Sequence, residues 1–225
     1  MSVKHVGVGS RVNTRAAAFV VAVSLCVAGV LLVVRSIEMP AWESGLDRPV
    51  DKEMTPQELE RHLSGGDDFA LPPSTATSLS IDAIGVEAKV DSVGMNGDGD
   101  IGAPPMFRSD RTAWFEDSPY PGAEGISVIV GHVDSGRRGP AVFYDLGLVD
   151  PGETVEINRK DQTTLVFTVT KVANYPKRAF PYEEIFTPTR RAELRLITCG
   201  GPFDRDDGNY TENTVVYGLL TDVKL

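Results

Sequence analysis

The chain has 225 residues, 32 Asp and Glu against 22 Lys and Arg, and a formal net charge of -10. That balance excludes nucleic acid as a partner, because phosphate binding needs a basic stripe and none is present. With two cysteines and three histidines far apart in the chain, no cluster of the kind that holds zinc is expected, and nothing in the composition asks for a cofactor.

In chain order, residues 1–15 read as a cytoplasmic tail and 16–35 as a single transmembrane anchor. The run 16–34 has no charge and only Ser24 as a clearly polar side chain, close to the ~20 residues that cross a bilayer. It is longer than the ~7–15-residue apolar core of a cleaved signal peptide. Lys4, Arg11 and Arg15 precede it, while beyond it only Arg35 comes before Glu38, Glu43 and Asp47. This asymmetry points the N-terminus to the cytoplasm and the bulk of the chain outside the cell. Cys26 lies mid-helix behind Leu25, where a lipoprotein signal would want a small residue, so it reads as an ordinary lipid-facing or packed thiol.

Residues 36–78 are polar and punctuated by Pro40, Pro49, Gly65-Gly66 and Pro72-Pro73, the composition of an extracytoplasmic linker that works as a spacer with little core of its own. Within it, Thr55-Pro56-Gln57-Glu58 is a helix start: Thr55 can cap, Pro56 suits the first helical position and Glu58 stands at the capping-box offset.

Residues 79–225 form one domain long enough to bury roughly two thirds of its unfolded surface. Its apolar residues come in short alternating runs, among them Leu79-Ser80-Ile81-Asp82-Ala83-Ile84, Ile126-Ser127-Val128-Ile129-Val130, Leu165-Val166-Phe167-Thr168-Val169-Thr170 and Thr214-Val215-Val216-Tyr217-Gly218-Leu219. Strands of this length, with turns at Asn96-Gly97 and Pro151-Gly152, predict an antiparallel all-β sandwich or barrel with short helices, one of them near Ala141 to Leu146. The string Asn96-Gly97-Asp98-Gly99-Asp100 mimics the start of a calcium loop. Ile101 stands where that loop needs glycine and Phe107 where it needs glutamate, so a surface turn is expected and no metal site.

Two features carry chemistry. Cys199 is the only cysteine outside the anchor, so it cannot be half of an internal disulfide, and a free thiol kept outside a cell points to a nucleophile. A free thiol has a pKa of ~8.5 and needs a neighbouring base or positive charge to act at neutral pH. His5 lies in the tail and His62 in the linker, which leaves His132, at the end of an apolar strand, as the only imidazole in the domain.

These residues resemble a known family. Gly131-His132-Val133-Asp134-Ser135, Gly139-Pro140-Ala141-Val142-Phe143, Leu196-Ile197-Thr198-Cys199-Gly200-Gly201-Pro202-Phe203-Asp204 and Asn213-Thr214-Val215-Val216-Tyr217, in that order behind an N-terminal anchor, are similar to the sortases, most like the class F sortases of actinobacteria. The resemblance implies a closed eight-stranded β-barrel with His132 after the fourth strand and Cys199 at the end of the seventh. It implies a cysteine transpeptidase, with Cys199 attacking the Thr–Gly bond of a Leu-Pro-x-Thr-Gly type sorting signal. His132 would be the acid and base, while Thr198 and Gly200 would touch substrate. The partners implied are secreted proteins bearing a C-terminal sorting signal and a peptidoglycan precursor or other amine acceptor, at the outer face of a cell membrane.

The chain departs from that pattern at Arg195, where the family motif before the cysteine has threonine. It departs again after Cys199, where the family keeps an essential arginine near the start of the last strand. Here that neighbourhood reads Asn209-Tyr210-Thr211-Glu212-Asn213. Arg205 is the only arginine after Cys199 and inherits the expected role by elimination; Arg137, Arg138, Arg195 or, as a neutral donor, Asn213 are alternatives. The missing arginine also leaves a second reading open, a sortase-like module that binds sorting signals with weak or no catalysis. Hydrolysis in place of transfer is a third.

Overall fold

The computed structural model describes residues 46, 49–63, 71–187 and 189–225. The anchor expected at 16–35, with Cys26, lies outside the described residues, and among those described no helix is long and apolar enough to cross a membrane.

The alternating runs form the strands β2 (Ala76–Ile81), β3 (Val86–Val93), β4 (Thr112–Phe115), β5 (Gly125–Gly131), β6 (Thr154–Arg159), β7 (Thr164–Pro176), β8 (Ala192–Asp204) and β9 (Asn209–Lys224). Neighbouring strands run β7-β6-β2-β3-β4-β5-β8-β9, and β9 pairs back onto β7, which closes an eight-stranded barrel. The sheet is not antiparallel throughout, as the short runs and turns suggested: β3 pairs with β4 and β5 with β8 in parallel, while β8 and β7 are both antiparallel to β9. Closure removes the unpaired edges that an open sheet would expose.

Leu79, Ile81, Ile129, Phe143, Ile157, Leu165, Phe167, Leu194 and Leu196 fill the interior, each essentially inaccessible to solvent. Each such side chain contributes on the order of 1.5–3 kcal/mol relative to exposure. β5 is buried along its whole length because both of its faces are covered. Ile129 enters the main core, while Ile126, Val128 and Val130 pack outside it against Phe115, Phe186 and Ile197.

Part of the segment read as a linker belongs to this structure. A short strand, β1 (Asp51–Glu53), adds antiparallel to β7, and Met54 is buried behind it. The expected helix follows as α1 (Pro56–Leu63), with the Glu58 carboxylate accepting from the Thr55 amide at 2.9 Å and the Thr55 hydroxyl accepting from the Glu58 amide at 3.3 Å. These contacts hold the Glu58 carboxyl below its ordinary pKa, the Thr55 hydroxyl first among the causes. Lys52 strengthens the attachment by donating to the carbonyls of Leu148 and Val149 and pairing with Asp150 at 2.7 Å. Asn96 organises its turn with its own side chain, Oδ1 accepting from the amides of Asp98 and Asp100. The helical turn expected near 141–146 falls slightly later, at Leu146–Leu148.

Candidate active site

Register and parity bring Cys199 and His132 together. β5 and β8 pair in parallel with Val130 opposite Ile197, so His132 and Cys199, each two residues on, stand level at the same end of neighbouring strands. Side chains alternate across a strand. Val130 and Ile197 lie on the outer face, hence His132 and Cys199 leave the backbone on that face as well. Adjacent strands lie about 4.8 Å apart, a spacing that a thiol and an imidazole can bridge.

Cys199 is a free, half-buried thiol. β8 does not end there but continues to Asp204 through an irregularity between Gly200 and Phe203. Both glycines are required by packing. A Cβ on Gly200 would meet the Thr214 hydroxyl at 2.4 Å, and Gly201, at φ +70°, lies against the Glu212 side chain.

The position of His132 is held from both sides. Its carbonyl accepts from the Phe143 amide at 3.0 Å, and Gly131 before it permits this because a Cβ there would collide with Phe143 at 2.6 Å. Its ring Nε2 lies 2.6 Å from the Pro104 carbonyl oxygen. A carbonyl only accepts, so Nε2 carries the proton and donates, leaving Nδ1 of the neutral ring as the basic nitrogen. Two residues further on, Asp134 accepts from the Tyr210 hydroxyl and so ties the loop after β5 to the start of β9.

Along the outer face of β8 runs the segment 177–187, which includes the short helix α2 (Tyr182–Phe186). Its contacts explain the first departure from the family motif. Arg195 is buried, donates to the Ile185 carbonyl at 3.2 Å, pairs with Glu193 at 2.8 Å and stacks over the Tyr217 ring at 4.3 Å. It fastens α2 to the barrel and does not reach the thiol. Burial pushes the Tyr217 phenol far above its ordinary pKa, reinforced by a 2.8 Å hydrogen bond with Tyr175, so both hydroxyls stay neutral.

Arg205 is exposed in the four-residue turn between β8 and β9 and makes no hydrogen bond or ion pair among the described residues. The cation at the sulfur is Lys177, the first residue after β7, with Nζ 3.4 Å from Cys199 Sγ. Asn213 stands directly opposite Cys199 in the β8–β9 register. Nothing in the sequence marks Lys177, which lies 22 residues before the cysteine in no recognisable motif.

Thr198 and Cys199 line a cavity of about 240 Å3 together with Val133, Phe143, Asn174 and Thr214, and Leu46, Val50 and Leu148 supply its apolar wall. Within it the Thr198 hydroxyl is buried with no hydrogen-bond partner among the described residues. Tyr144 also faces the cavity, its phenol raised by burial and by the nearby Asp145 and Asp134 carboxylates.

The closed barrel brings Cys199 and His132 to the same end of the parallel neighbours β8 and β5. The family model of the sortase domain matches residues 79–221, and the chain belongs to the sortase family. Solved structures with the same fold include sortase A of Listeria monocytogenes, 18% identical, covering 67% of this chain and 90% of that one at a TM-score of 0.50. Sortase C1 of Streptococcus agalactiae is 18% identical over 75% of this chain and 78% of its own, TM-score 0.51. Sortase C1 of Streptococcus suis is 18% identical over 80% and 92%, TM-score 0.50. No curated protein matches the chain.

Proposed function

We propose that the protein is a sortase of the class F type: a cysteine transpeptidase, anchored through residues 16–35, that works on the outer face of the membrane. Its substrates are secreted proteins with a Leu-Pro-x-Thr-Gly type sorting signal. The observation that carries this reading is the shared register and face of His132 and Cys199, within a chain of the sortase family.

The chemistry follows from the two groups. His132 Nδ1 takes the thiol proton as Cys199 Sγ attacks the threonine carbonyl carbon, and the carbonyl π electrons move to oxygen. When the tetrahedral oxyanion collapses, the C–N bond breaks and the imidazolium returns its proton to the departing glycine nitrogen. A thioester remains on Cys199. An amine then attacks the thioester, gives its proton to His132 and releases the thiol, so the new amide replaces the old one. Thr198, next to Cys199 in the cavity wall and with no hydrogen-bond partner for its buried hydroxyl among the described residues, would hydrogen-bond the bound signal.

The test is turnover of a fluorogenic Leu-Pro-x-Thr-Gly peptide by the full chain with a strong amine present. Turnover and a Cys199 thioester trapped by mass spectrometry are expected, both abolished in Cys199→Ala and turnover abolished in His132→Ala. Activity that survives either substitution refutes the assignment. Peptide binding with no thioester identifies a non-catalytic binding module instead.

A further inference from the structure

The family's arginine is missing from residues 209–213, yet the thiol has a cationic neighbour. Lys177 Nζ lies 3.4 Å from Cys199 Sγ and 2.7 Å from Asn209 Oδ1. The topology explains how a residue so far off in sequence gets there. Tyr175 and Cys199 both pair with Asn213, so β7, β9 and β8 form one row at the level of the thiol. Past Pro176 the chain leaves β7 in a tight turn, Lys177–Ala179, that packs against β9. The ammonium therefore approaches the sulfur from the side of β9, with Asn209 at the start of β9 fixing its direction. One residue of the segment where arginine is absent thus serves to aim a lysine from another strand.

We propose that Lys177 is a catalytic residue of this site, the cation that takes the place of the arginine. It rests on the reading above that Cys199 is an acyl-transfer nucleophile. In the resting enzyme the ammonium donates to Sγ and stabilises the negative charge that forms there when the proton passes to His132. During attack the carbonyl carbon sits about 3–3.5 Å from sulfur, which places its oxygen within reach of the same ammonium. As the C=O electrons move to that oxygen, Lys177 shifts its hydrogen bond from sulfur to the oxyanion. It gives up no proton: Cys199, His132 and the two amines account for every proton transferred. A lysine does this as a single point donor, whereas the planar fork of an arginine could hold sulfur and oxygen at once.

The experiment compares the full-length wild type with Lys177→Met and Lys177→Arg, with thermal melts to verify folding. Two readouts are taken: steady-state kinetics on the fluorogenic peptide, and the rate at which iodoacetamide alkylates Cys199 at neutral pH, followed on the Cys199 peptide by mass spectrometry. Lys177→Met is expected to lower kcat/KM by about 10²–10³-fold, chiefly in kcat, and to slow alkylation by about tenfold, while Lys177→Arg recovers both to within about tenfold of wild type. A folded Lys177→Met variant that keeps more than about a third of wild-type kcat/KM, or an arginine variant no better than methionine, overturns the proposal. Should the wild type turn over no peptide, the functional reading fails on its own, and the alkylation rates still decide Lys177: equal rates in wild type and Lys177→Met refute the cation's role.

Discussion

Thr198→Val separates stability from function at one atom. Thr198 is 4% exposed, and its Oγ1 has no hydrogen-bond partner among the described residues. A buried hydroxyl left unpaired costs on the order of 1–3 kcal/mol, whereas valine fills nearly the same volume and brings no polar atom. The variant should therefore be more stable by roughly 1–2 kcal/mol. For a domain of this size, each kcal/mol moves Tm by about 2–4 °C, so a rise of a few degrees is expected in calorimetry. If the hydroxyl is kept for the substrate, the same change removes one hydrogen bond from the bound peptide, worth about 0.5–1.5 kcal/mol, and KM rises about two- to tenfold. Stability up and affinity down together are the signature of a polar group retained for function. A fall in Tm would mean the hydroxyl is already satisfied, and an unchanged KM would remove Thr198 from the substrate site; either result refutes the reasoning.

Arg195→Met should be costly although it touches no reacting atom. It strands the Glu193 carboxylate and the Ile185 carbonyl and removes the stack on Tyr217; breaking such a buried pair costs about 3 kcal/mol, read by chemical denaturation, and a loss under about 1 kcal/mol would contradict the role given to it. Asp161 predicts an acid dependence. Burial pushes its carboxyl up, but hydrogen bonds from Thr163 and the guanidinium of buried Arg159 outweigh this and hold it below the ordinary value. Since the folded pKa lies below the unfolded one, the stabilisation is complete above the ordinary carboxylate pKa of ~4 and is lost as pH falls through the folded value. The Tm gap between wild type and Asp161→Asn should be open at pH 6 and close below about pH 4 in a series of melts; a gap independent of pH would exclude the mechanism.

Much of the fold was legible because its causes are local. Alternation in Leu79-Ser80-Ile81 and in Leu165-Val166-Phe167-Thr168-Val169 is the period of a strand with one face inward, and Thr55, Pro56 and Glu58 carry their helix start within four residues. Cys199 and His132 stood out as candidates because each is the only residue of its type in residues 79–225. The role of the segment before residue 79 was not. Val50 and Lys52 look like spacer residues until Leu148, Val149 and the cavity by Cys199 stand next to them.

The sequence by itself determined the all-β class, the positions of most strands, and a candidate thiol with a single candidate imidazole in residues 79–225, because propensity, capping and residue scarcity can be read along the chain. Only the tertiary structure decided which cation meets the thiol. Arg205 is nearer to Cys199 in sequence, but the turn after β8 carries it into solvent. Lys177 is 22 residues away and two strands over, and it reaches the sulfur because barrel closure aligns Tyr175, Asn213 and Cys199 in one row. Such a contact follows from register between distant strands, and register is set by the packing of the whole barrel.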